Sequence, residues 1–263
     1  MHTVHRKRRC RVRVKPRFWA LVLALSLCVA GFAAVGLHNS LRVYSEAKWE
    51  YDNLRLAAPP VLSATPDTAV EEAPAGAAPT PGQAQPMPTA TPSLSDVNPE
   101  YTGWLEVMGT GISYPMAQGE DNDKYLHTTF SGEENKLGAI FLDARCVDGL
   151  AGQHTIIYGH NAKDGSMFAG LSALLDAEAY PDITITLPEG EVLTYRIFAV
   201  RQSDIRDFAY RWEFEDAADF AAFADGLGAP EGSERIITLS TCSDTGGRDG
   251  RLLVHAALVE DEG

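Results

Sequence analysis

Residues 18–37, FWALVLALSLCVAGFAAVGL, run for twenty positions without a charged side chain, and nothing else in the chain restricts its folding so strongly. At about 1.5 Å of rise per residue such a run reaches roughly 30 Å as a helix, the thickness of the hydrocarbon layer of a bilayer. Before it stand Arg6, Lys7, Arg8, Arg9, Arg11, Arg13, Lys15 and Arg17, with no acid among them. The positive-inside rule keeps this basic tail, residues 1–17, in the cytoplasm and sends everything after the span out of the cell. A cleaved signal peptide is the rival reading, because Ala30, Gly31, Ala33 and Ala34 supply small residues for cleavage. Against it, the apolar run is longer than a usual signal core.

The net charge of −14 understates the acidity of the exported part, since the basic tail lies wholly on the other side. Phosphate backbones should repel it, and no nucleic-acid partner is expected. In residues 38–56, Leu41, Tyr44, Tyr51 and Leu54 fall at roughly helical spacing, which predicts a juxtamembrane helix and reads most simply as a solvated spacer. Residues 57–95 are rich in Pro, Ala and Thr; positions 57–92 alone hold nine of the fifteen prolines. Such composition buries too little apolar surface to offset its ordering entropy, so a disordered tether is expected. The folded domain then occupies residues 96–263.

That domain reads as mostly β. Strands are expected at 103–107, 112–116, 138–143, 154–158, 182–187, 192–202, 235–242 and 251–259, each rich in β-branched or aromatic residues and bounded by Gly, Pro or Asp. Helices are expected at 168–175 and 216–227. In the second, Ala217, Phe220, Ala221, Ala224 and Leu227 form an apolar stripe that Gly228 and Pro230 end. About eight strands in this length point to a closed or nearly closed barrel, which hides sheet edges.

Of four cysteines, Cys10 lies in the basic tail and Cys28 in the apolar run, leaving Cys146 and Cys242 for the exported part. One disulfide at most is possible there, and it would block any chemistry at Cys242. Cys146 reads as a packed thiol. Cys242 closes the apolar run ITLSTC, where Thr238, Ser240 and Cys242 share one face. If residues 243–250 form a hairpin loop, Cys242 ends one strand opposite Arg251 at the start of the next, within about 5.5 Å at Cβ. His160 sits just past the strand at 154–158, and parallel neighbours would bring it to the same rim as Cys242. A thiol, an imidazole and a fixed cation are the minimum set for acyl transfer at an amide. Taken singly each has a plainer account: a cysteine in an apolar strand is ordinarily a small buried hydrophobe, and a histidine or arginine at a strand end is ordinarily a surface group.

The wording of the motifs changes that balance. TLSTC followed by RLLVHAALV, with IIYGHNAKDGSMFAGL and NPEYTGWLEVMGTGISYPM upstream, closely resembles the sortase family, class B, over roughly residues 98–259. The resemblance implies an eight-stranded sortase-type β-barrel with short helices, carried behind an N-terminal transmembrane helix and the disordered linker. The helix at 216–227 would be the class B insertion. It further implies a membrane-anchored, single-pass cysteine transpeptidase on a Gram-positive surface, with Cys242 as nucleophile, His160 as general acid and base, and Arg251 steadying substrate or oxyanion. Asp244 would orient the histidine. Tyr158, Ser240 and Thr241 would line the substrate groove, which Asn122 would border. Substrates would be secreted proteins with a C-terminal sorting signal, attacked at a threonine carbonyl, and the acceptor an amine of a peptidoglycan precursor or a pilin.

No cofactor is implied, and His127, His154 and His255 show no metal-ligand spacing, so no metal is expected. The run Glu120, Asp121, Asn122, Asp123 lacks the glycine and distal glutamate of a calcium loop and reads as a solvated turn. Two other functions stay open at this point. A thiol protease would release the acyl group to water, although papain-like enzymes place Cys before His. A surface-tethered binding module would use the barrel only to display loops.

Overall fold

The computed structural model describes residues 16–59, 93–243 and 247–259. The tail before Pro16, the proline-rich segment 60–92 and Asp244 lie outside the described residues, so the expectations placed on them rest on sequence alone. Helix α1 (Pro16–Leu56) is continuous through both the apolar run and the segment after it. The chain forms two compact units, and the boundary between Glu46 and Ala47 falls inside this helix. In the first unit Leu23, Leu25, Leu27, Val29, Phe32, Val35 and Leu37 are exposed. Among the described residues no helix is long and apolar enough to cross a membrane; the side chains of residues 16–22 and 24 are not among them.

In the second unit the end of α1 is not a solvated spacer. Ala47, Tyr51 and Leu54 are buried at i, i+4 and i+7, one face of a helix. Tyr51 sets its ring edge-on to Tyr114 at 5.3 Å, and Arg55 places its guanidinium 4.9 Å from the same ring. Short helices α2 (Leu94–Val97) and α3 (Lys124–His127) follow. α2 opens with a reciprocal capping box between Ser93 and Asp96.

Eight strands close the barrel: β1 (Tyr101–Val107), β2 (Ile112–Ala117), β3 (Ile140–Leu142), β4 (His154–Tyr158), β5 (Asp182–Thr186), β6 (Val192–Asp204), β7 (Ile236–Cys242) and β8 (Gly250–Leu258). Their order around the barrel is β1-β2-β3-β4-β7-β8-β6-β5, and β5 pairs back to β1. Only β2–β3 and β4–β7 pair in parallel. β3 is shorter than the 138–143 expected, because Ala139 donates its amide to Tyr125 rather than to a neighbouring strand. Residues 169–176 wind as a 3₁₀ helix rather than an α-helix, burying Leu171 and Leu174 at the i, i+3 spacing that this tighter winding aligns.

Helix α4 (Ala217–Leu227) is capped by Asp216, whose side chain accepts from the Asp219 amide, and stopped by Gly228 at φ 83°. Its buried face is Phe220, Phe223, Ala224 and Leu227; Phe223 takes the place expected for Ala217 and Ala221, since an aromatic ring removes far more apolar surface from water than a methyl group does. This face lies over Ile236 and Leu253 on the outside of the barrel.

Beside that cluster a polar chain stitches four strands, and its donors can be assigned from its ends. Arg201 Nε donates to His255 Nε2 (3.1 Å), which places the His255 hydrogen on Nδ1, facing Thr238 Oγ1 at 2.9 Å. The threonine hydroxyl then donates to His154 Nε2 (2.8 Å), and His154 Nδ1 donates to the Arg211 carbonyl (2.6 Å). Both rings are held neutral: burial pushes His154 down to about 4, and burial followed by the Arg201 charge pushes His255 down to about 3.

An unfolded histidine takes up its proton near 6.5, so below about pH 6.5 the unfolded chain binds more protons than the folded one. Stability from these rings is therefore complete above that pH and is lost as pH falls toward 4 and 3. Charging His154 costs on the order of 3 kcal/mol and charging His255 on the order of 5 kcal/mol. The melting temperature is expected to fall steadily between pH 6.5 and 4, and a constant value over that range would contradict the assignment.

Candidate active site

The parallel pairing of β4 with β7 builds the site. Tyr158 and Ser240 are register partners at the ends of these strands, and the Gly159 amide extends the ladder by donating to the Ser240 carbonyl (3.2 Å). His160 and Cys242 therefore emerge from adjacent strand ends at one rim. Gly159 is needed for this exit, since a Cβ there would lie 2.6 Å from Ile140 and 2.7 Å from the Phe168 ring. On its other side β7 pairs antiparallel with β8, and Cys242 faces Arg251. The hairpin is closed by the Ser243 amide donating to the Gly250 carbonyl (3.0 Å).

Cys242 is the exposed residue of a strand otherwise buried throughout. Its thiol is free, as is that of Cys146, so the conceivable disulfide between them is absent. Asn161 Nδ2 donates to the Cys242 carbonyl (3.0 Å), tying the residue after the histidine to the backbone of the cysteine. His160 Nε2 lies 3.0 Å from the carbonyl of Leu126. A carbonyl only accepts, so Nε2 carries the hydrogen, and Nδ1 is the nitrogen left to take up a proton. Arg251 anchors its guanidinium on the Gly250 and Arg248 carbonyls (2.9 and 3.2 Å).

These three side chains line one cleft of about 250 Å³ together with Tyr158, Ser240, Thr241 and Asn122, so every described residue singled out from the sequence comes to a single place. A larger cavity of about 420 Å³ lies at the other end of β4, around Arg145, His154 and Trp212. Its one thiol, Cys146, is buried, donates toward the His154 carbonyl at 3.7 Å, and has its pKa raised chiefly by that burial. Size alone therefore does not locate the chemistry.

The cleft is backed by groups that sequence reasoning missed. Asp143 is fully buried and receives two hydrogen bonds from the Arg145 guanidinium (2.9 and 2.6 Å) and one from the Tyr158 hydroxyl (2.8 Å). Burial alone would raise its carboxyl pKa, but bonds from Arg145, Asn122 and Tyr158 outweigh that and hold it at about 2. Burial and then Asp143 push the Tyr158 hydroxyl upward, keeping it a donor. Tyr210 stacks on Tyr158 with centroids 6.4 Å apart, and its hydroxyl pairs with Ser240 Oγ at 2.8 Å. Asn122 also has a structural task, accepting the Ala144 amide (2.8 Å), while Asp121 caps the turn into α3 by accepting the Asp123 and Lys124 amides. An exposed thiol, an oriented imidazole and an anchored guanidinium in one cleft are equipped for attack on a carbonyl and for moving the proton that follows.

Comparisons with known proteins place the chain in one family. Residues 105–259 match the family described as Sortase domain. Sortase B of Listeria monocytogenes is 35% identical over 181 residues, 63% of this chain and 72% of that protein. Among solved structures, Clostridium perfringens sortase B aligns with a TM-score of 0.57 at 29% identity, covering 64% of this chain and 98% of that one. A Staphylococcus aureus sortase B–substrate complex aligns with a TM-score of 0.56 at 28% identity, covering 64% and 83%.

Proposed function

Because the chain belongs to the sortase family, as a cysteine transpeptidase of the sortase B kind that anchors proteins to the cell wall, we propose that Cys242 is its nucleophile, His160 its proton carrier and Arg251 its oxyanion partner. The thiolate attacks the threonine carbonyl of a C-terminal sorting signal. The resulting oxyanion lies beside the guanidinium, and the proton held by His160 passes to the departing amine as the C–N bond breaks. A thioester on Cys242 remains. An amine of a peptidoglycan precursor, or of a pilin, then attacks that thioester and gives up its proton to the imidazole; the C–S bond breaks, the acyl group leaves in a new amide, and the thiolate beside a protonated His160 is restored. Tyr158, Ser240, Thr241 and Asn122 hold the acyl half in the cleft. The observation that carries this reading is the register of Cys242 against Arg251 at the mouth of the cleft that His160 also lines.

The same proposal places residues 18–37 across the membrane of a Gram-positive cell, with residues 1–17 in the cytoplasm and the barrel outside. Its supports are the charge asymmetry of the sequence and a helix whose described apolar side chains, Leu23 through Leu37, are exposed rather than packed.

Incubating the protein with a sorting-signal peptide and increasing amounts of a glycine-based amine should show a peptide thioester on Cys242 by mass spectrometry, and product shifting from acid to amide. Release to water at every amine concentration would identify a protease. Peptide binding without a thioester would identify a binding module.

A further inference from the structure

The end of α1 lies outside the matched family region, yet two separate paths lead from it to His160. In the first, Tyr51 is almost fully buried, and its hydroxyl donates to the Gly138 carbonyl (2.7 Å) and accepts from the Phe130 amide (3.3 Å). Those two residues bound the loop after α3 and bring it back against that helix. Asn135 donates to the His127 carbonyl (2.8 Å) and Ala139 to that of Tyr125 (2.9 Å). Gly138 sits so close to this turn that a Cβ would lie 2.3 Å from the Tyr125 oxygen and 3.1 Å from that of Leu126. The Leu126 oxygen is the one that takes the His160 hydrogen. One hydroxyl on α1 thus pins the peptide against which the histidine's acceptor rests.

The second path starts from Tyr114, whose ring stands perpendicular to that of Tyr51 and carries the Arg55 guanidinium over its face. Arg55 Nε also donates to the Ser113 carbonyl (3.2 Å). The Tyr114 hydroxyl accepts the Met167 amide (3.1 Å), where Met167 has φ 54°, the positive-φ residue other than glycine among those described. A side chain in that region is costly and persists only where its surroundings impose it. The next amide, that of Phe168, donates to the His160 carbonyl (2.9 Å) and closes the loop that carries the imidazole.

We infer that residues 47–56 of α1 are a positioning element of the active site, and that Tyr51 is a positioning residue that fixes the tautomer and orientation of His160 through the Gly138 and Leu126 peptides. This rests on the proton-carrier role proposed for His160. It makes the segment next to the apolar run part of the catalytic unit rather than a passive stalk, although it touches neither the cleft nor the thiol.

Tyr51→Phe in the full chain keeps the ring and removes only the hydroxyl. Nitrogen NMR of the histidine rings, with His160 assigned by its loss in His160→Gln, should show one tautomer in the unaltered protein and a mixture in Tyr51→Phe. Turnover should drop about tenfold, with the peptide KM held within about twofold. Leu227→Ala, in the cluster under α4, serves as a variant of comparable stability loss and should leave both the tautomer and turnover unchanged. An unaltered His160 spectrum in Tyr51→Phe, or an equal change in Leu227→Ala, overturns the inference. A mixed tautomer with full turnover would support the positioning role and remove His160 from proton transfer.

Discussion

Cys242→Ala should abolish peptide-to-amine transfer, lowering kcat/KM by at least about 10³-fold, while the melting temperature stays within a few degrees of the parent. The two outcomes separate because the side chain is exposed at the last residue of β7 and contributes little packing, whereas in the proposed mechanism all covalent chemistry passes through its sulfur. Cys146 cannot substitute: it is buried at the other end of β4, and burial holds its thiol in the protonated form. Steady-state kinetics with a sorting-signal peptide, paired with thermal unfolding, checks both. Transfer within tenfold of the parent would remove Cys242 from the mechanism.

The second large effect is expected on stability. Gly138→Ala forces a side chain into φ 58°, and its Cβ would lie 2.3 Å from a backbone oxygen that has no room to retreat, because the Ala139 amide already binds it. The strain and the displaced turn together should cost about 3 kcal/mol, or roughly 10 °C in melting temperature for a domain of this size. The variant should also lose activity beyond its loss of folded protein, since Leu126 lies on the displaced turn. A melting temperature within about 2 °C of the parent would show that the backbone there yields freely.

The parts of this molecule visible in its sequence are those governed by local pattern. The runs ITIT, HTIIY and IITLSTC announce strands because β-branched residues favour a pleated, half-buried surface, and closure followed from their number. Cys242, His160 and Arg251 each terminate or open such a run, but strand position alone left each with a plainer account, and it was the resemblance of the surrounding motifs to the sortase family that singled them out. What escaped was set by partners distant in the chain. Asp143 looks like an acid that merely ends an apolar run until Tyr158 and Arg145 converge on it. Tyr210 acquires its place only when β7 brings Ser240 beneath it. The acceptor that orients His160 is a main-chain carbonyl, which every residue possesses and no letter marks. The α1 end was misread as solvated because its three apolar positions are widely spaced among charged ones, and their cover, from Tyr114 to Gly138, comes much later in the sequence.

The β7–β8 ladder holds Cys242 and Arg251 in register, and the connection between them lends the guanidinium one of its two anchors, the Arg248 carbonyl. That connection can therefore change in length without parting the two residues, provided it keeps a main-chain carbonyl within reach of the guanidinium. Relatives whose connections diverge in length but keep the cysteine-to-arginine pairing should therefore share one chemistry.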